Sequence, residues 1–156
     1  MSSFPVESII SSDIDSLREI ADECGLSPWS YRNFKDELAR DDSIMLLVRS
    51  GSGKAAGFII GRIIHVESGA EIYNIGVTET FRGQGVGKIL LDEFLKRARQ
   101  ATAEKIWLEV RSLNAVAIAF YERNGFKAYS RRIKFYSNPV DDALLMELDF
   151  STSAAE

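Results

Sequence analysis

The chain has 156 residues, a formal net charge of −4, 46% hydrophobic residues and 27% charged ones, the length of one ordinary domain with enough apolar content for a core. The acidic surplus argues against a dedicated nucleic-acid binder, which carries a basic surplus or stripe, and the apolar runs 44–48 and 55–60 are far too short to cross a bilayer. With one cysteine, Cys24, and one histidine, His65, an intrachain disulfide and any metal site needing two imidazoles are excluded.

Residues 1–5 lack the basic start and apolar stretch of a signal peptide, so the expected compartment is the cytoplasm. Residues 4–10 suggest a first strand. Ser12 or Asp13 then caps a helix with Ile14, Leu17, Ala21 and Cys24 on one face, stopped by Gly25. A Cys24–His65 nucleophilic pair is formally possible, but a lone cysteine on an apolar stripe is ordinarily just buried. Pro28 opens a second helical segment, with Tyr31, Phe34 and Leu38 along one side. Ser43–Arg49 and 55–66 are β-rich runs around Gly51-Ser52-Gly53-Lys54, which reads as a hairpin. A turn at Ser68-Gly69-Ala70 leads into a strand over 71–77.

The second half changes character. That strand, a glycine-rich loop, a helix over Val86–Gln100 and a strand over Lys105–Arg111 make a strand–helix–strand unit, whose two strands are expected to lie parallel. The helix buries Ile89, Leu90, Phe94, Leu95 and Ala98, a spacing near 3.6. Asn114 caps a helix over Ala115–Arg123 that Gly125 terminates. Runs 126–135 and 142–150 complete a mixed sheet. The predicted fold class is α+β (often filed as α/β): one domain over 1–150, mostly antiparallel, flanked by helices, with a frayed tail at 151–156.

The loop Arg82-Gly83-Gln84-Gly85-Val86-Gly87-Lys88 carries the strongest signal. Alternating glycines at the mouth of a helix let the backbone turn sharply and approach a ligand. The helix start adds unpaired N–H groups and the positive dipole end, which together bind phosphate oxygens. A Rossmann fingerprint fails, because the sixth position from Gly83 is Lys88. A P-loop fails as well, with Arg82 and Ile89 at its first and last positions; around Gly53-Lys54 they are Val48 and Ala55. A glycine-rich turn without a ligand is the bland alternative.

Here the sequence resembles the GNAT superfamily of N-acetyltransferases, whose R/Q-x-x-G-x-G/A element is matched position for position by residues 82–87. The resemblance implies that this loop, through Arg82, Gly83, Gln84, Gly85, Val86, Gly87 and Lys88, holds the pyrophosphate of acetyl-CoA. It also implies a splayed parallel strand pair, in which Ile75, Gly76 and Val77 meet the pantetheine arm. Further matches follow in family order: Leu108-Glu109-Val110-Arg111, Asn114, Ala117, Phe120-Tyr121-Glu122 and Asn124-Gly125-Phe126. Tyr136, Pro139 and Asp142-Ala143-Leu144-Leu145-Met146 look like the RimI-type branch, which acetylates protein N-termini, its type member acting on the alanine terminus of ribosomal protein S18. The likeness is strong over 72–148 and weak before it.

Amide formation from a thioester needs a neutral amine, an acceptor for its extra proton and a donor to the departing thiolate. Strand alternation sets Trp107 and Glu109 opposite Ile106, Leu108 and Val110. By the resemblance Glu109 is the general base, through a water, and Tyr121 donates to the CoA sulfur. Read alone, Glu109 is more readily a surface carboxylate paired with Arg111 or Lys105, and the alternative for Tyr121 is a core tyrosine with a buried hydroxyl partner. Asn114 has two readings that do not exclude each other: helix cap and, by the resemblance, polar contact to the pantetheine arm. At pH 7 deprotonating an α-amine costs about 1.4 kcal/mol and a lysine about 4.6 kcal/mol, so one carboxylate suits the α-amine better.

Two departures from the branch bear on the acceptor. Leu113 stands where a serine usually precedes the asparagine, with Ser112 one place earlier, and Phe135-Tyr136 stands where a Tyr-Tyr pair orders the substrate terminus. Tyr136 is the substrate-side candidate there. Pro28-Trp29-Ser30 resembles the branch's substrate-side loop, making Trp29 either an acceptor contact or a helix-entry anchor. The expected enzyme attacks directly in a ternary complex, as a monomer or weak dimer, without metal, nucleic acid or membrane. A GNAT enzyme for lysine or small amines, and a CoA-binding module without turnover, are the alternatives.

Overall fold

The computed structural model describes residues 4–26 and 29–150. The expected helix start at Pro28 and the tail 151–156 lie outside the described residues. Seven strands, β1 (Val6–Ser8), β2 (Ser43–Arg49), β3 (Ala55–Ile64), β4 (Gly69–Val77), β5 (Lys105–Arg111), β6 (Lys127–Tyr136) and β7 (Asp141–Asp149), form one sheet. Their order is β1-β2-β3-β4-β5-β7-β6, and only the β4–β5 pair is parallel. The helices among the described residues are α1 (Ile14–Glu23), α2 (Tyr31–Leu38), α3 (Val86–Gln100) and α4 (Ala115–Arg123).

Burial patterns show which strands are covered twice. β2 and most of β3 are buried without alternation, because each lies between two helical layers. One face meets α3 and α4 through Leu46, Ile59, Leu90, Phe94, Ile106 and Phe126. The other meets α1 and α2 through Leu17, Phe34, Leu47, Phe58 and Ile60. β5 alternates, with Ile106, Leu108 and Val110 buried and Trp107, Glu109 and Arg111 half-buried. The α1/α2 layer therefore stops short of β5, leaving the β5-β7-β6 part of that face open.

Several sequence expectations shift. The first strand shrinks to three residues. Asp13 does not cap α1 with its side chain; it accepts the Ile10 N–H at 2.9 Å and pairs with Arg49 at 2.6 Å, closing a 3-10 turn ahead of the helix. Cys24 is only half-buried, standing at the C-cap just past the last residue of α1. Ser30 caps α2 by accepting the Asn33 N–H at 3.0 Å, and Tyr31, expected on the apolar side, is exposed. The Ser68 turn is a 3-10 turn, His65–Glu67, ended by Ser68 with φ +52°. On α3 the buried set includes Val86 and Leu91, while Ile89 and Leu95 are half-buried, a stripe turned by one residue.

Candidate active site

One irregularity opens a cleft. Between β3 and β4 the register runs from Ile60–Asn74 to Gly61–Ile72, so Tyr73 is an extra residue in β4. A bulge bends its strand, and β4–β5 pairing ends at once, with Ile72 opposite Leu108. Residues 73–77 and 109–111 then diverge as a wedge. The Thr78 N–H donates to the Ala56 carbonyl at 2.9 Å, which makes 56 and 78 a bonded pair. By antiparallel alternation, Ile75 and Val77 turn their backbone groups away from β3 toward the wedge. Gly76, expected to join them, bonds back to β3 instead, and the place of its missing side chain is filled by Ile20, Cys24 and Leu26, each 3.3 Å away. The Val77 carbonyl is already engaged, by Arg82 Nε at 3.1 Å and Cys24 Sγ at 3.4 Å.

The loop between β4 and α3 borders this wedge. Gly83 and Gly85 hold φ of +77° and +84°, with open space where a Cβ would stand. None of the six N–H groups from Gly83 to Lys88 donates a hydrogen bond to another described residue; the first that does is Ile89, to the Gly85 carbonyl at 3.0 Å. Consecutive free N–H groups at the head of a four-turn helix form an anion cradle. Gly87 differs from its neighbours: a Cβ there would lie 3.5 Å from the Phe120 ring and 3.8 Å from Val77. A methyl group there would be in ordinary contact with its surroundings, where α3, α4 and β4 converge. Three loop side chains are committed elsewhere. Arg82 reaches back to Val77 and to Cys24 Sγ (3.5 Å), Gln84 to the Thr80 carbonyl (3.2 Å), and Lys88 down the helix to Asp92 (3.1 Å) and Asn124 (3.3 Å). The loop therefore presents backbone to an anion.

Glu109 projects from β5 onto the open face, and its nearest cation is Arg132 on β6, at 3.6 Å. Neither Arg111 nor Lys105 pairs with it: Arg111 donates to the Ser137 and Pro139 carbonyls at 3.2 and 3.0 Å, and Lys105 meets Glu147 at 3.8 Å. Tyr121 stands on the other side of the wedge. Its ring is buried among Phe120 and Phe126, with centroids 5.4 and 5.6 Å away, so it belongs to the core more than its neighbour Phe120 does. Its hydroxyl has no hydrogen-bond partner among the described residues, yet it is not sealed off. Burial, then the neighbouring Tyr136, pushes the phenol well above its ordinary range, so it stays protonated at pH 7. Asn114 caps α4, accepting the Ala117 N–H at 3.1 Å.

Tyr136 is held from several directions. The Arg111 guanidinium lies over its ring at 4.4 Å and Phe135 meets it edge-on at 5.0 Å. Burial and the charge of Glu109 raise its phenol, with Arg111 opposing. Asp141 anchors the same hairpin by accepting Ser112 Oγ at 2.5 Å and the Leu113 N–H at 3.2 Å. Ser112, displaced from its usual place in the branch, thus acts on the β6–β7 connection. Trp29 packs on Phe34 at 5.2 Å with the α1/α2 core, as a helix-entry anchor would. Cys24 lies beside the end of β4 and His65 before its start, so no Cys–His pair forms. Glu71 and Arg132, both on the open face, and the hairpin anchor Asp141 carry no signal in the sequence, and Arg111 is expected there only in the matched run and as a partner for Glu109, not as a hairpin anchor. Only the strand register brings them to Glu109 and Tyr136. Among the described residues no group of three metal-ligating side chains is gathered.

Comparison with known proteins agrees with this architecture. The description "Acetyltransferase (GNAT) family" matches residues 14–126. The [ribosomal protein bS18]-alanine N-acetyltransferase of Escherichia coli (strain K12) is 29% identical over 148 residues, covering 94% of this chain and 97% of the relative. The N-alpha-acetyltransferase RimI of Mycobacterium tuberculosis is 34% identical over 129 residues, covering 80% and 78%. The crystal structure of the E. coli ribosomal-protein-S18-alanine N-acetyltransferase superposes with a TM-score of 0.84 at 27% identity, over 95% of this chain and 94% of that one.

Proposed function

This chain belongs to the GNAT family of acetyltransferases, and from that premise we propose that it moves the acetyl group of acetyl-CoA to the α-amino group of a protein N-terminus, such as that of a ribosomal protein. The observation that carries the reading is the row of six free N–H groups from Gly83 to Lys88 beside the wedge left by the Tyr73 bulge. Those N–H groups fit a pyrophosphate, and the Ile75 backbone with the Val77 N–H fits the amides of a pantetheine arm threaded between β4 and β5. Asn114 stands at the start of α4, at the wedge's open end, where its free amide donors suit the same arm.

When bound, acetyl-CoA supplies an acyl group activated on sulfur; the rest is done by this chain. Glu109 takes the amine's proton through a water, on the open face where an acceptor can approach. Tyr121, uncommitted and protonated, gives its hydroxyl proton where negative charge develops on the other side of the wedge. Tyr136, immobilised by Arg111, borders the acceptor's path and orders its backbone. Trp29 could touch the acceptor only from the α1–α2 side. The names of the E. coli and M. tuberculosis relatives support a peptide α-amine as acceptor.

Steady-state kinetics with acetyl-CoA, comparing an Ala-initiated basic peptide, a polyamine and a histone-like peptide blocked at its terminus, tests this. The Ala peptide should give the highest kcat/KM. A preference for the polyamine or the blocked peptide would leave the acetyltransferase and remove the N-terminal acceptor. Absence of thiol release with every amine would point to a module without turnover.

A further inference from the structure

Building on the proposed acceptor, we propose that Glu71 docks the incoming ammonium and that Arg132, by pairing with Glu109, holds the acceptor pocket at one net negative charge, making the enzyme selective for singly charged amines. Glu71 lies on β4 opposite Trp107, and Glu109 is two residues further along β5 on the same face. Strand geometry puts their Cα atoms about 8 Å apart. Both side chains are half-buried on the open face, Glu71 just before the point where the β4–β5 wedge opens and Glu109 just past it.

Counting charges around that point isolates Glu71. Arg62 is bound by Glu37 through two hydrogen bonds of 2.9 and 2.6 Å. Lys105 pairs with Glu147, Arg131 with Asp142, and Arg132 with Glu109. Arg111 is bound to carbonyls and sits beside Asp141. Glu71 alone accepts no hydrogen bond and meets no cation within 4.0 Å among the described residues. Its carboxyl is pushed up by burial first and by Glu109 second, while Arg132 and Arg62 oppose; Glu67, toward the other end of β4, adds a weaker repulsion. A half-buried carboxylate without a partner beside a second carboxylate is costly unless a cation arrives. An α-ammonium is such a cation, and it lands one strand from Glu109, the group assigned to take its proton.

Arg132 sets the count because it is the cation that touches Glu109, and Phe135, 5.5 Å away, helps hold its guanidinium over this face. Without it, two carboxylates would face the acceptor and a diamine would fit better than a monoamine. The experiment compares kcat/KM for an Ala-initiated peptide with neutral side chains, for butylamine and for 1,4-diaminobutane, in wild type, Glu71→Gln, Arg132→Gln, Arg132→Lys and the Glu71→Gln/Arg132→Gln double variant. Glu71→Gln should raise KM for every amine roughly tenfold, the order expected for one unit charge at such a distance. Arg132→Gln should raise the diamine-to-monoamine ratio about tenfold, and Arg132→Lys should leave it unchanged. The double variant, again at one negative charge, should bring the ratio back to wild type, which a merely structural role for Arg132 would not do. Calorimetric CoA affinity should hold throughout. An unchanged ratio in Arg132→Gln, or a double variant that fails to return, overturns the proposal. If wild type acetylates the amines but never the peptide, the N-terminal reading fails, and the diamine-to-butylamine ratio still decides the charge count.

Discussion

Replacing Gly85 with alanine separates the cradle from the fold. Gly85 holds φ at +84° with nothing within 4 Å of its would-be Cβ, so a methyl group clashes with no protein atom. The direct cost is the left-handed backbone, about 1–2 kcal/mol. For a domain of this size that lowers Tm by about 2–8 °C. The effect on CoA should be far larger. If the loop relaxes and two charge-assisted hydrogen bonds are lost, at about 1.5–3 kcal/mol each, affinity falls by about 10²–10⁴-fold. Gly53→Ala is the control: Gly53 has φ +88° and the same empty surroundings, but it sits in the β2–β3 turn. Calorimetry with CoA and a thermal melt on both variants should give similar melting shifts and a loss of affinity in Gly85→Ala alone. Equal CoA affinity in the two folded variants would refute the cradle.

Glu109→Gln should lower kcat by about 10²–10⁴ with CoA affinity unchanged, and the deficit should narrow at high pH, where more amine is already neutral; a normal rate at pH 7 would return Glu109 to a surface carboxylate. Tyr121→Phe should slow turnover while leaving Tm almost unmoved, because the hydroxyl has no hydrogen-bond partner among the described residues. Tyr136→Phe should raise the peptide KM but not that for acetyl-CoA, and Phe135→Tyr should tighten the peptide by about 0.5–1.5 kcal/mol, the net value of one hydrogen bond. For Glu37, burial pushes the carboxyl up, but hydrogen bonds from Arg62 and Ser43 outweigh it and hold the carboxyl below its ordinary range. Since the folded value is the lower one, the stability it carries is complete above pH about 4.3 and drains away as pH falls through the native value. Acid melts of Glu37→Gln should show a flatter slope there than wild type.

The most legible parts of the chain are those governed by neighbours in sequence. Asn114 and Gly125 frame α4, and the helix runs Ala115–Arg123 as the cap and stop signals imply. The parity of β5 is equally local, so Trp107 and Glu109 face away from Ile106 and Leu108. The glycine loop was readable as an anion site because helix starts leave N–H groups free whatever surrounds them. What depends on distant pairing was not readable. The Tyr73 bulge that opens the wedge is a mismatch between β3 and β4 and has no composition signal of its own. Arg132 meets Glu109 only through the β6–β7–β5 register, which itself shifts along β6. Gly87 resembles its two loop partners in sequence but lacks their positive φ, and it lies near Phe120, which is 33 positions away and becomes a neighbour only when α3 and α4 pack.

The most direct test of an α-amine acceptor uses one peptide offering both kinds of amine: an Ala-initiated, basic sequence with two internal lysines, incubated with the purified protein and acetyl-CoA. Tandem mass spectrometry of the product reports which nitrogen carries the acetyl group. A single addition of one acetyl group, confined to the alanine α-nitrogen and lost when the terminus is chemically blocked, is the predicted result. Acetyl groups on the lysines that persist after the terminus is blocked would contradict it.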